Sequence, residues 1–358
     1  MLTVKLHQER NDVLMKRLLY LILTVCLCLS LVACGGAPEK SEEKNAELPK
    51  EEIVEEDTNK NSEEPITITV GVPTAPPALP VLRMIETKAL GDDVEIKLNI
   101  WNEPETLIAM VQDSEHDMFA FPLTVVSKLY NKGMDVRLMN VNTWGVTYFM
   151  TSDPDFDSWD DLKGKTIYVP LQSSPPDALT QYFLEEAGLE VGKDVEVVYA
   201  TTVEVATMLA SGDAVYGTLI EPQVTKALMD NQNLRVAFNF EDEWQRVTGT
   251  DTKIPNAGFG TTQAFIDENP ELVLDFQDEY EKATIWANEN PEEIGILAEK
   301  HLGLKAPLIV KSMPNMGLEF KSAINSQDEL KMFYELIYDF NPDMIGGKVA
   351  DTKLYYEK

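Results

Sequence analysis

The chain has 358 residues, and its 61 Asp and Glu against 30 Lys and Arg give a net charge of −31 at pH 7. So acidic a surface repels phosphate backbones, which argues against a nucleic-acid partner. The three cysteines are Cys26, Cys28 and Cys34. The sequence after residue 34 therefore cannot contain a disulfide framework or a cysteine zinc site. We expect no cofactor and no bound metal.

Residues 15–34 are typical of a secretory signal. Lys16 and Arg17 precede an apolar run, residues 18–31, that is too short to span a bilayer comfortably. Met15 begins this signal better than Met1, because the first 14 residues contain no apolar stretch. We therefore predict a signal peptide over residues 1–33, with Met15 as the candidate true start.

The signal ends in LVAC, followed by two glycines. This string resembles the bacterial lipobox, which implies cleavage after Ala33 and a lipid on Cys34. A plain signal peptide, or a membrane anchor with a chance cysteine, is the alternative. Residues 37–65 contain eleven acidic residues, four lysines and few large apolar groups. Such a segment cannot bury enough surface to order itself, so we predict a lipidated cysteine and a disordered acidic tether over residues 34–65.

From residue 65 the sequence alternates between strand-like and helix-like segments, which predicts an α/β protein with mostly parallel sheets. In the first part, the predicted strands are residues 66–70, 94–100, 117–120 and 135–141, with helices at 81–89, 104–111 and 125–131. In the second part, the predicted strands are 166–169, 195–199, 214–220 and 235–240, with helices at 178–187, 203–211 and 223–229.

Three strings then carry a family resemblance: DLKGKTIYVP (161–170), VATMLASGDAVYGTLIEP (205–222) and IGGKVADTKLYYEK (345–358). They resemble type II periplasmic binding proteins of the nitrate/sulfonate/taurine group, which also includes binders of thiamine pyrimidine precursors and of riboflavin. The resemblance implies an extracytoplasmic, lipid-anchored solute-binding subunit of an ABC importer. Its partners would be a small-molecule solute and the permease and ATPase subunits, and the protein would be a monomer.

The fold that this resemblance implies is α/β, a two-lobe type II periplasmic binding protein fold with two crossing hinge strands. Lobe 1 would comprise residues 65–151 plus 241–358, including the C-terminal helices, and lobe 2 residues 152–240. The crossings are expected near residues 147–152 and 238–248. Ligand would close the two lobes by a hinge motion.

Ligands of open α/β sheets bind beyond the carboxyl ends of the strands, so residues just after each strand are the site candidates. They are Thr74, Trp101, Phe121, Pro122, Thr143, Trp144, Ser173, Ser174, Asp177 and Glu221.

Two ligand chemistries compete for these candidates. Helix N-termini bind anions without a basic side chain, which would suit sulfonate or nitrate. No Arg or Lys falls on these loops, however, whereas Asp177 and Glu221 do, and two carboxylates penalise an anion. The nearby aromatic residues favour a planar ligand. We therefore favour a heterocyclic vitamin precursor or a cationic or aromatic solute over sulfonate and nitrate. Core packing is the alternative role for Phe121 and Tyr148, and Trp244 is a further candidate.

The sequence gives little support to an enzymatic function. No HExxH, GxSxG or P-loop pattern is present, so no catalytic residue is assigned. His116 and His301 are the only histidines after residue 33, too few for a typical transition-metal receptor. A solute-sensing lipoprotein with a signalling partner is one alternative function, and an enzyme on the same fold is another. The pyrimidine synthase of this fold needs a cysteine cluster that is absent here.

Overall fold

The computed structural model describes residues 66–113 and 116–357. The predicted signal peptide, Cys34 and the acidic tether lie outside the described residues. Within the described part, no helix combines the length and apolar character that a membrane span requires.

The described part of the chain contains both strands and helices, which alternate in much of the chain up to residue 240. The strands are β1 (Ile66–Pro73), β2 (Val94–Trp101), β3 (Met118–Pro122), β4 (Val136–Leu138), β5 (Asn140–Trp144), β6 (Thr147–Thr151), β7 (Thr166–Pro170), β8 (Glu196–Ala200), β9 (Tyr216–Ile220), β10 (Arg235–Asn239), β11 (Pro255–Thr262) and β12 (Leu318–Ser322). The helices are α1 (Ala78–Thr87), α2 (Pro104–Gln112), α3 (Leu123–Asn131), α4 (Pro175–Glu186), α5 (Thr202–Ser211), α6 (Gln223–Asp230), α7 (Phe240–Thr248), α8 (Gln263–Glu268), α9 (Pro270–Glu289), α10 (Pro291–Leu302), α11 (Ala306–Ser312) and α12 (Gln327–Phe340).

The first sheet has the strand order β12-β5-β11-β3-β1-β2, and β4 also pairs with β11. β1 is parallel to β2 and β3, while β11 runs antiparallel to β3, β4 and β5. The central part of β1 contains the β-branched residues Val70 and Val72, which are fully buried, and β1 lies between β2 and β3. Continuous burial of this kind is what a central parallel strand requires.

The second sheet has the order β10-β6-β9-β7-β8. β7 is parallel to β8 and β9, and β6 is antiparallel to β9 and β10. Both faces of this sheet are covered. On one face the ring centroid of Phe149 lies 4.9 Å from that of Trp159, and on the other face Met150 packs in a hydrophobic cluster with side chains of α5 and α6. Neighbouring residues of a strand point to opposite faces of the sheet, so β6 contributes side chains to the hydrophobic clusters on both faces.

Two connections join the sheets. The first passes from β5 through Gly145 and Val146 into β6. Most of the crossing expected near residues 147–152 is therefore a strand of the second sheet. The second runs from β10 to β11 through helix α7, where a crossing strand was expected near residues 238–248. The helix forms because Asn239 caps its start, three acidic residues occupy its first turn and Gly249 ends it in a left-handed conformation.

The C-terminal helices cover the first sheet and reach the second half of the molecule. Tyr280 of α9 packs at 4.9 Å from Phe259 of β11, ring centroid to ring centroid. In α12, the hydroxyl of Tyr334 donates to the Leu123 carbonyl at 3.0 Å, and Phe340 meets Tyr182 of α4 edge to face. These helices therefore tie the return of the chain to both α/β units.

Candidate ligand-binding cleft

The carboxyl ends of parallel strands from both sheets face one another across a cleft. Two adjoining cavities occupy it, one of about 240 Å³ and one of about 50 Å³. We call the larger the polar chamber; its polar side chains are Thr74, Asn102, Thr201, Thr202, Glu221 and Gln223. We call the smaller the apolar chamber; its walls include Phe121, Pro122, Val146, Pro175, Pro176 and Ala257. Both chambers are lined by Pro73, Ala75, Trp101, Leu171 and Ile220.

Seven of the ten residues singled out from the sequence line these chambers. Thr74 and Glu221 lie in the polar chamber, and Trp101 lies where the chambers meet. The apolar chamber takes the remaining four, which are Phe121, Pro122, Thr143 and Ser174. They come together because β1, β2 and β3 end at one edge of the first sheet, opposite the ends of β7 and β9.

Trp144 does not line either chamber. Its indole Nε1 donates to the Glu319 carbonyl at 2.9 Å, and its side chain is 5% exposed within the core. The residue ends β5, and its side chain is used to fasten β5 to the neighbouring strand β12. Trp144 is therefore placed as a packing residue.

Asp177 and Ser173 also stand behind the cavity walls rather than in them. The buried Asp177 carboxylate accepts hydrogen bonds from the Ser173 backbone N–H at 2.7 Å, from Gln181 Nε2 at 2.6 Å and from the Tyr199 hydroxyl at 3.0 Å. Burial raises the pKa of Asp177, and these three donors oppose the rise. Ser173 has a left-handed backbone, with φ of 64°, which the bond to Asp177 holds in place.

The Ser173 carbonyl links the two halves of the molecule. It accepts a 2.8 Å hydrogen bond from Oγ1 of Thr124, which follows β3 of the first sheet. Thr124 is fully buried and lines neither chamber. This bond therefore fastens the loop after β7 to the start of α3 across the cleft.

Glu221 supplies the cleft's carboxylate. It follows β9, is 1% exposed, and accepts from the Thr225 backbone N–H at 3.1 Å and from Thr225 Oγ1 at 2.9 Å. Burial raises its pKa, and hydrogen bonds from Thr225 and from the Asn315 side chain oppose the rise. Because Asn315 belongs to the half that carries the first sheet, Glu221 makes a second link across the cleft.

The electrostatics of the cleft disfavour an anion. Neither Lys nor Arg is among the described residues that line the two chambers. Helix α4, which begins at the apolar chamber, has Pro175 and Pro176 in its first two positions, and proline has no N–H to offer an anion. Asp177 occupies the third position. The first two positions of α4 thus offer no N–H to the apolar chamber, whereas the first residues of α5 and α6 line the polar chamber.

Other candidates from the sequence lie elsewhere. Trp244 is fully buried and packs against Phe333 of α12. Tyr148 lies on β6, and its pKa is raised to about 12, chiefly by burial and then by the negative charge of Glu221. His116 bonds through Nδ1 to Asp113 at 3.0 Å and through Nε2 to the Asn99 amide at 2.5 Å. No group of His, Cys, Asp and Glu able to hold a metal ion occurs within residues 66–113 and 116–357.

Residues 90–294, more than half of the chain, match the sequence model of the NMT1/THI5-like family. The chain belongs to this family. A curated relative, a putative binding protein YtlA of Bacillus subtilis, is 24% identical over 146 residues. That match covers 40% of this chain and 41% of the relative, so the chain aligns with about two fifths of the relative's length.

Solved structures of other proteins have the same fold as this chain. An ABC transporter protein of Parabacteroides distasonis superposes with a TM-score of 0.69 at 22% identity, covering 82% of this chain and 99% of that one. The periplasmic aliphatic sulphonate binding protein SsuA of Escherichia coli gives 0.67 at 14% identity, covering 82% and 92%. The nitrate-binding protein NrtA of Synechocystis gives 0.57 at 16% identity, covering 73% and 74%. The expected periplasmic binding protein fold is confirmed, and these neighbours are binding or transport proteins rather than enzymes.

Sequence reasoning missed Gln223, Asn102 and the Thr201–Thr202 pair, all of which line the polar chamber of this family member. A signal for Gln223 was present, since it directly follows the Glu221-Pro222 pair at a strand end. Asn102 likewise follows the candidate Trp101. Most strand ends contributed only one or two candidates, whereas the chamber walls contain runs of consecutive residues such as Thr201 to Val203.

Proposed function

We propose that this protein is the solute-binding component of an ABC importer, and that it captures a neutral or cationic planar solute between its two halves. The observation that carries the proposal is the cleft itself. The carboxyl ends of six parallel strands enclose two adjoining chambers, and among the described residues these chambers are lined by aromatic and proline side chains, by one carboxylate and by no basic residue. Sites of this kind hold small ligands by apolar contact and a few polar groups.

The ligand preference follows from charge and shape. Glu221 is buried without a cationic partner among the described residues, so an ammonium or a hydrogen-bond donor in the polar chamber would stabilise its ionised form. Trp101 and Phe121 offer ring surfaces that suit a planar solute. A heterocyclic vitamin precursor, for example a pyrimidine, combines both features. Structural neighbours named for sulphonate and nitrate support the fold, while the absence of basic residues here argues for a different solute.

A thermal-shift screen on residues 37–358 tests the proposal. The panel contains alkanesulfonates, taurine, nitrate, bicarbonate, thiamine and its pyrimidine precursors, riboflavin and simple amines. A ligand at 100 times its dissociation constant stabilises the folded state by roughly 2.7 kcal/mol. We expect a heterocycle or amine to raise the midpoint and Trp101→Ala to abolish the shift. A sulfonate or nitrate hit would contradict the ligand class, and no hit at all would contradict solute capture.

We also propose that the protein is exported and anchored to the outer face of the cell membrane by a lipid on Cys34. The lipobox-like string before Cys34 supports this proposal, and the acidic segment after it would act as a spacer. Metabolic labelling with an alkyne fatty acid should mark the wild-type protein in membranes and leave Cys34→Ser unlabelled. Equal labelling of both proteins would contradict the assignment of Cys34.

A further inference from the structure

Three buried side-chain atoms in the cleft have hydrogen-bonding capacity that no described protein group uses. They are Nε1 of Trp101, Oγ of Ser174 and Oε1 of Gln223. Their side chains are 3%, 0% and 5% exposed. Buried polar atoms are normally paired, so each exception needs an explanation, and a site that a ligand completes provides one. Only four other such atoms occur among residues 66–113 and 116–357, so the cleft concentrates them.

The three atoms differ in chemistry and position. The Trp101 indole can only donate, the Gln223 oxygen can only accept, and the Ser174 hydroxyl can do either. Gln223 lies in the polar chamber, Ser174 in the apolar chamber, and Trp101 in both. A molecule that satisfies them must carry an acceptor near the junction of the chambers and a donor in the polar chamber.

Glu221 does not replace Gln223 as a hydrogen-bond acceptor for the solute. Both carboxylate oxygens of Glu221 already accept from Thr225, and the Asn315 side chain adds a further bond. The Gln223 oxygen has no hydrogen-bond donor among the described residues, and Gln223 is one of the residues that line the polar chamber. An anionic group placed there would face the Glu221 carboxylate and the amide oxygen together, and both would repel it.

We propose that Gln223 is the residue that selects a hydrogen-bond donor on the solute, with Oε1 accepting from an amine. The Trp101 indole N–H then donates to an acceptor atom of the same molecule. This inference rests on the proposed function, since it assigns a role within the same cleft. Full methylation of the amine removes its donors and leaves Oε1 buried without a partner, which is how such a site rejects an analogue.

Stability of the ligand-free protein gives the first test. Gln223→Met keeps the length of the side chain and removes an unpaired buried oxygen, so the midpoint of thermal unfolding should be retained or raised. Gln181→Met is the matched control, because Gln181 Nε2 donates to Asp177 at 2.6 Å and to Tyr199 at 3.1 Å. The control should lower the midpoint by about 2–4 °C. An equal fall in both variants would overturn the inference, since Gln223 would then be a structural residue.

Selectivity gives the second test, with 4-amino-2-methylpyrimidine and its 4-dimethylamino analogue as probes in NMR titrations. Wild type should bind the amine about tenfold more tightly, and Gln223→Met should lose this preference. Gln263→Met, at a half-buried position outside both chambers where the Gln263 amide bonds to Asp267, should retain it. A preference that survives in Gln223→Met would overturn the inference while leaving the proposed function intact.

Binding of neither probe to any variant would count against the proposed ligand class instead. The stability comparison then decides on Gln223 by itself. A midpoint retained in Gln223→Met and lowered in Gln181→Met supports an unpaired, ligand-directed oxygen, and an equal fall overturns it.

Discussion

Thr124→Val tests whether the hydrogen bond across the cleft stabilises the closed conformation. Thr124 Oγ1 donates to the Ser173 carbonyl at 2.8 Å, and valine keeps the volume of threonine while removing the hydroxyl. In a closed molecule the Ser173 carbonyl would lose this partner, which costs about 1–3 kcal/mol for a buried group. In an open molecule water replaces the lost bond, so the penalty falls on the closed state alone.

The expected result is a loss of affinity without direct loss of a ligand contact. Because Thr124 lines neither chamber, we expect the variant to act through the hinge closure that the family resemblance implies rather than through a ligand contact. A cost of about 1–3 kcal/mol corresponds to a roughly 5- to 150-fold weaker apparent affinity. Isothermal titration calorimetry with a solute from the thermal-shift screen measures the affinity. Small-angle scattering should show a larger radius of gyration for the variant at a solute concentration that closes wild type.

Thr284→Val is the matched control. Thr284 is also buried and donates at 2.8 Å to a backbone carbonyl, that of Tyr280, but both residues belong to helix α9. The control should therefore leave solute affinity unchanged. Unchanged affinity in Thr124→Val, or an equal loss in both variants, would refute the role of the Thr124–Ser173 bond in closure.

Three further predictions concern the hinge and the cleft. Gly145→Ala should destabilise the protein by about 1–3 kcal/mol in urea unfolding, because φ at Gly145 is +56° and a Cβ there would overlap the Glu241 carboxylate; an unchanged midpoint would contradict this. Asp177→Ala should cost about 2–4 kcal/mol in the same assay, since three donors lose their acceptor. The pKa of Glu221 is raised by burial, so affinity for a cationic solute should fall as pH drops through that raised pKa and stay constant for a neutral one. Glu221→Gln should remove the dependence, and a pH profile that it leaves unchanged would rule out Glu221 as its source.

Local patterns were sufficient for most of the fold. Alternating β-branched segments predicted β1 and β2, and the helix predicted at residues 178–187 overlaps α4, which begins three residues earlier. Errors arose where a short polar segment decides between strand and helix. Residues 238–248 were expected as a crossing strand, yet the Asn239 cap and acidic first turn make α7 a helix. Those helix signals are present in the sequence, and the expected strand rested on the family resemblance alone.

By itself, the sequence determined the alternation of strands and helices, and with it the rule that ligand residues follow strand ends. That rule predicted Thr74, Trp101, Phe121 and Glu221, which all line the cleft, because parallel strands end at one edge of their sheet. Only the tertiary structure decided which side chains near those ends face the cavity. The Trp144 indole donates to the Glu319 carbonyl, whereas Gln223 lines the polar chamber and its side-chain oxygen has no hydrogen-bond partner among the described residues. The physical reason is that strand position fixes where a residue lies, while contacts between distant segments fix which of its atoms remain free.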